Sequence, residues 1–471
     1  MELEVILRCP KRIGRRSASG DRIAGMTRQP AADGSGFARS RQVTTAPHGH
    51  MLTNTGVWSP DGRWIVYDVR STADGAVFDG TRIERVELET GRVERLYESR
   101  HGACCGVVTA SPVDDRVVFI LGPERPDADW GYGPARRRGV VVRTSRPGEA
   151  ASLDARDLAA PFTPGALRGG THVHVFSPDA RLVSFTYEDA VLDAAPAGAA
   201  ERNLRGVGVT VLDAPVTVPP THPRNHPGYA SVLVTRLVDE PRPGSDEICR
   251  AFEEAWVGVD GYRRQDGSWQ RRALAFQGRV AAADGTPVDE VFIVDLPDDP
   301  RRLLEPGDLP LAGTPTTRPS PPATVTQRRL TFTTHRRHPG IQGPRHWLRS
   351  SPDGTRIAYL ARDDDGVVQI FTVSPTGGGP TQLTHGTPGI ASSFTWSPDG
   401  RWIACVADGS VCRVDASDGS LDRLTPPLRD DSTPRPEACV FSPEGTRIAC
   451  VRRVPDQAGQ VHNQIFAVDV P

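Results

Sequence analysis

Lysine is almost missing from this sequence: Lys11 is the only one, and the rest of its 56 basic residues are arginine. Because arginine fills nearly every basic position, runs such as Arg136–Arg138 are given no functional weight. An excess of either charge is missing too. The basic residues face 58 acidic ones, for a formal net charge of -2, which excludes the electrostatic footprint of a general nucleic-acid binder. No apolar run approaches the ~18 residues of a membrane span, so no membrane insertion is expected. Cysteine is sparse, with eight residues, Cys104 and Cys105 adjacent, and no CxxC. That spacing argues against a disulfide framework or zinc knuckle and for small buried thiols. A GxSxG elbow, a Walker loop and a Rossmann glycine pattern are all lacking, so no prolyl-oligopeptidase-type hydrolase domain is expected alongside the repeats described below. Residues 1–41 are basic and rich in Gly, Ser and Ala, without the apolar stretch of a secretory signal. The expectation is a disordered tail, or residues upstream of the true start, over 1–40. One domain is expected over 41–471, in a cytoplasmic protein.

Turn formers, by contrast, are plentiful: Gly 47 and Pro 43 in 471 residues favour many short strands over long helices. One unit recurs. It reads VWSPDGRWIVYDV from Val57, TASPVDDRVVFIL from Thr109, VFSPDARLVSFTY from Val175 and RSSPDGTRIAYLA from Arg349. It returns as TWSPDGRWIACVA from Thr395 and VFSPEGTRIACVR from Val440. Each is a β-hairpin in prospect. Proline presets one turn dihedral, aspartate bonds the local backbone, glycine supplies the left-handed residue, and the flanks alternate with period two. Asp61, Asp179, Asp353 and Asp399 are therefore turn residues rather than catalytic carboxylates. Trp58, Phe176, Trp396 and Phe441, which precede the turns, should pack blade against blade rather than form a stacking platform.

The prolines at 60, 112, 178, 352, 398 and 443 are spaced by 52, 66, 174, 46 and 45 residues. The last two spacings match a four-stranded propeller blade. Within the long gap, YASVLV from Tyr229, ALAFQGRV from Ala273, EVFIVDLP from Glu290 and QRRLTF from Gln327 are read as one complete blade. The total is seven. The fold class is thus an all-β, seven-bladed propeller of four-stranded antiparallel blades. The C-terminal NQIFAVDVP is a third strand by register, so residues 41–46 are predicted to supply the fourth and close the ring. One short helical insertion is expected in blade four, within about 239–272. Ser245 caps GSDEICRAFEEAWVG, and Ile248, Phe252 and Trp256 are spaced by four. Such a helix would pack on the propeller surface or, through Glu253 and Glu254, act as an acidic lid.

The SPDG hairpins and LTHG strands resemble the WD40-like repeats of TolB-type propellers. LTNTGVWSPDGRWIVYDVR from Leu52, TPGALRGGTHVHVFSPD from Thr163, PGSDEICRAFEEAWVG from Pro243, QRRLTF from Gln327 and PRHW from Pro344 narrow the likeness. Together they resemble an uncharacterised bacterial family of TolB-like propellers, often labelled Tol-type biopolymer-transport proteins. That resemblance implies a six- or seven-bladed propeller and no particular chemistry. The first 40 residues and the loop Val259–Arg272 depart from the family pattern.

Histidines crowd the connections between blades. His172 and His174 begin blade three, His346 begins blade five, and His50 and His101 lie ahead of blades one and two. His172 and His174 should share one strand face, because side chains repeat every two residues. With His346 they form a candidate divalent-metal set, and Arg168 and Arg345 are placed to hold a carboxylate. The competing reading has these histidines capping strands or bonding carbonyls, with His385 merely part of an LTHG repeat. A nucleophile built on Cys104 or Cys105 with His101 is a weaker alternative. The expected function is a binding or scaffold propeller that presents its channel mouth to a protein or small acidic ligand. The alternative is a metal-dependent lyase or hydrolase acting on an acidic oligosaccharide, since the histidine-rich mouth is reminiscent of the oligogalacturonate lyases, which also use a TolB-like propeller.

Overall fold

The structure, a computed structural model, describes residues 36–72, 77–344 and 347–471. Its hairpins arise as the repeat dictates. In four of them the turn serine bonds the turn aspartate (Ser59–Asp61, Ser177–Asp179, Ser351–Asp353, Ser397–Asp399). The same carboxylate accepts the backbone N–H two residues on. Gly62, Gly354 and Gly400 take the left-handed conformation that closes these turns. The aspartates are thus committed to local structure.

The hairpins build seven four-stranded antiparallel sheets. Their strands fall at 49–98, 105–152, 169–233, 251–329, 349–382 and 395–423 in blades one to six. Blade seven takes 439–469 together with Ser40–Gln42. Among the described residues the helices are Ala190–Asp193 and the 3-10 turn Pro300–Leu304, and none is long and apolar enough to cross a membrane.

Apolar layers run between neighbouring blades all the way round. Ile65 and Tyr67 of blade one meet Ala449 and Ile465 of blade seven, so the layer between the first and last blades is as continuous as the others. The pre-turn aromatics sit in these layers. The indole N–H of Trp58, Trp256 and Trp396 each donates to an inner-strand carbonyl of the preceding blade, at 3.0 to 3.1 Å (Val440, Val175 and Arg349). An N-terminal strand closes the ring as anticipated, but over Ser40–Gln42 rather than 41–46: Ser40, Arg41 and Gln42 pair with Val468, Ala467 and Phe466.

Blade four differs from the sequence reading. Ala251–Trp256 is its inner strand, not a helix, and pairs with Arg272–Ala281. A spacing of four residues reads as helical but is equally compatible with a strand, and the innermost position of the blade selects the strand, in which a register shift after Phe252 puts Trp256 on the Ala251 side. Ser245 makes a local turn, its hydroxyl donating to the Arg242 carbonyl at 2.7 Å, rather than a helix cap. The strand at Gly228–Leu233, read above as part of blade four, is the outer strand of blade three. What is inserted in blade four is a small hairpin, Tyr262–Arg263 against Trp269–Gln270.

Candidate functional site at the channel mouth

The innermost strands of blades two, three and four share an irregularity. Val107, Val173 and Glu253 have φ of 57°, 55° and 53°, and the pairing register shifts at each. A β-branched residue in this region is strained, and each bulge re-aims the side chains around it. The period-two expectation for His172 and His174 fails for this reason. Adjacent Thr171 and His172 face opposite ways, and His174 lies on the Thr171 side, its Nε2 3.0 Å from the Thr171 hydroxyl. That hydroxyl donates to Asp154 Oδ1 at 2.9 Å, which also accepts the Gly139 N–H at 2.8 Å. His174 is fully buried in this network, and burial pushes its pKa down to about 3. His172 is half-buried, pairs in register with Thr186, and its Nδ1 has no hydrogen-bond partner. Burial, with Arg137 nearby, holds it well below the usual imidazole range.

The other candidates are scattered. His50 is buried between blades one and seven, its Nδ1 2.8 Å from the Asn463 carbonyl and its ring stacked on His48. His101 sits in an exposed turn with φ of 54°. Arg168 is fully buried and donates to Asp189 at 2.7 Å, to the Thr317 carbonyl at 2.5 Å and to the Thr314 carbonyl, so its guanidinium ties down a loop of blade four. Arg345 and His346 lie outside the described residues. Cys104 and Cys105 are buried, and burial pushes the Cys105 thiol up, away from nucleophile chemistry. Among the described residues, no three His, Cys, Asp or Glu side chains come together in a way that could hold a metal. The described part of the proposed histidine set does not fit one.

Two residues that carried no weight in the sequence stand out instead. Arg137 precedes the third strand of blade two. It is 5% exposed, its Nη1 donates to the Tyr132 hydroxyl at 3.4 Å, and among the described residues its Nε has no hydrogen-bond partner. Gly170 brings its segment against blade three: a Cβ there would lie 2.1 Å from the Pro134 carbonyl oxygen, so the bare backbone lets segment 134–136 rest against that blade's inner strand. Arg349, in the inner strand of blade five, is 8% exposed and also has a partnerless Nε. Neither has a carboxylate within 4 Å among the described residues. A buried guanidinium without a counter-charge is costly and attracts anions. Arg137 was hidden among the many arginines. Arg349 carries a legible signal, since its slot in the repeat is Val57, Thr109, Val175, Thr395 and Val440 elsewhere.

Comparison with known proteins places this architecture. Residues 104–226 match a family described as a protein of unknown function, DUF3748. The uncharacterized protein YidR of Escherichia coli (strain K12) is 47% identical over 412 residues, covering 87% of this chain and 94% of that protein. An oligogalacturonate lyase solved in complex with manganese shares 13% identity over 93% of this chain and 94% of its own, with a TM-score of 0.52. That likeness is one of fold. TolB from Acinetobacter baumannii is a more distant structural neighbour, 14% identical over 87% of this chain and 81% of its own, with a TM-score of 0.35. With nearly half of its residues shared along almost the whole of both sequences, the chain belongs to the YidR family.

Proposed function

We propose that this protein is a binding propeller that takes a small acidic ligand at the mouth of its central channel, with Arg137 as the anchoring cation and His172 beside it. One observation carries the reading: a guanidinium more than nine-tenths buried, in a segment packed against the inner strand of blade three, with no carboxylate within 4 Å among the described residues. A buried charge of this kind suits a small molecule better than a protein surface, because only a small anion reaches it. His172 adds a polar edge without competing charge, since it stays neutral at physiological pH. The metal-dependent lyase reading would need His172, His174 and His346 around one ion. With His174 turned onto Thr171, it has no comparable support.

Calorimetric titration with simple carboxylates tests the proposal. The expected result is saturable binding that Arg137→Met weakens by about tenfold or more. Wild-type protein that binds no carboxylate at about 10 mM, or an Arg137→Met variant that binds as well as wild type, would overturn it.

A further inference from the structure

Arg349 crosses the channel. Its Nη2 donates at 3.1 Å to the carbonyl oxygen of Asn54 in blade one, and its Nη1 to the neighbouring Leu348 carbonyl at 2.6 Å. Blades one and five are separated around the ring by blades six and seven, so a bond between their innermost segments spans the axis. Asn54 is itself held from blade six, its Nδ2 donating to the Phe394 carbonyl at 3.1 Å, while its Oδ1 has no partner. The acceptors on Arg349 are neutral carbonyls, so no hydrogen bond within the described residues pairs its charge with a carboxylate.

The acids that face Arg349 come from blade four, and neither is within ion-pair distance. Glu253 accepts from Gln277 at 2.7 Å. Glu254 is 2% exposed; one oxygen accepts from the Thr186 hydroxyl at 3.1 Å and the other has no partner. Thr186 is also the register partner of His172. The polar groups therefore follow one another across the mouth: Arg137 and His172 on the side of blades two and three, Glu254 next, and Arg349 on the side of blade five. Among the described residues neither cation has a carboxylate within 4 Å, and the buried Glu254 carboxyl touches Thr186 on one side and faces Arg349 on the other.

We infer that the ligand is a dianion, one acidic group held at Arg137 and the second at Arg349. This rests on the acid-binding reading given above and names the class of acid. A monoacid would leave one guanidinium uncompensated, whereas a linear diacid of the right length neutralises both.

The test compares malonate, succinate, glutarate and adipate with the half-ester of each, by calorimetry on the full-length protein. At least one diacid is expected to bind about tenfold or more tightly than its half-ester. Both Arg137→Met and Arg349→Met should bring that diacid down to the half-ester's affinity, and Arg349→Lys, which keeps the cation, should retain part of the difference. Equal binding of every diacid and its half-ester by wild-type protein overturns the dianion, and this arm needs no variant to fold. Should Arg137→Met then abolish both, acid binding itself survives. Failure of all eight probes with wild-type protein would remove both readings.

Discussion

Glu254, with Glu253 one of two blade-four acids that face Arg349, is a group whose charge changes near neutral pH. Burial raises its carboxyl from an ordinary 4.5 to about 7. The unfolded chain therefore ionises this residue first as pH rises, and the folded state holds the extra proton between those two values. Stability contributed below pH ~4.5 is lost as pH climbs through about 7, by up to about 3 kcal/mol. Glu254→Gln removes that loss. In urea unfolding at about pH 5 and pH 8, the wild type is expected to lose about 2–3 kcal/mol more than the variant over the interval. Diacid affinity should move the same way. Ionised Glu254 adds negative charge facing Arg349 and repels the ligand, so wild-type affinity falls from pH 6 to pH 8 while the variant's stays flat. Parallel stability profiles for the two proteins would mean that Glu254 does not titrate in this range.

At the scale of elements, the approach of blade two to blade three depends on Gly170, where a side chain would strike the Pro134 carbonyl at 2.1 Å, while Gly169 allows its own strand to pair closely with the next, the Glu188 carbonyl lying 2.0 Å from a Cβ there. Backbone cannot yield as a flexible side chain can, so Gly170→Ala is expected to cost about 2 kcal/mol and to push the 134–137 segment outward. Thermal unfolding reads the first effect, and a weaker carboxylate titration, through a displaced Arg137, reads the second. Unchanged affinity in a destabilised variant would separate the segment from the site. This contact also marks where sequence reading stops. The SPDG turns were legible because serine, aspartate and glycine bond within a few residues of themselves, and turns at fixed intervals then imply blades. The strand Ala251–Trp256 was not, because its apolar spacing of four suits two periods and only the vacant position in the ring decides between them. The bulges at Val107, Val173 and Glu253 follow no shared residue type, and at Val107 the backbone N–H is held by Asp68 of the neighbouring blade, so the shared face expected of His172 and His174 could not be checked by counting. Arg349 was readable in principle as the charged residue in an apolar or hydroxyl slot of an aligned repeat.

For the whole molecule, closure is a property of the two ends of the described chain together. Val43 is buried and donates to the Ile465 carbonyl at 2.7 Å, and the Asp469 N–H donates to the Arg39 carbonyl at 2.9 Å. The Thr44 hydroxyl donates to Gln464 Oε1 at 2.7 Å while accepting the Ile465 N–H at 2.8 Å, and Gln464 Nε2 donates to the Ala46 carbonyl at 2.8 Å. Ala38 reaches past this blade to the Leu424 carbonyl of blade six at 2.8 Å, so the segment stitches two blades. Without it, Val461–Asp469 becomes an exposed edge next to an intact apolar layer, a template for pairing with another chain. A protein that begins at Thr45 is therefore expected to retain the seven inter-blade layers but to melt at a lower temperature and to associate with rising concentration, followed by light scattering. A synthetic peptide spanning residues 36–46 should restore the melting temperature and suppress the association, because it supplies the same backbone donors and the buried Val43 side chain. If the shortened protein stays monomeric and melts with the full chain, the blade one–blade seven packing around Trp58 and Tyr67 holds the ring shut unaided, and the N-terminal strand only covers an edge that was never exposed enough to pair.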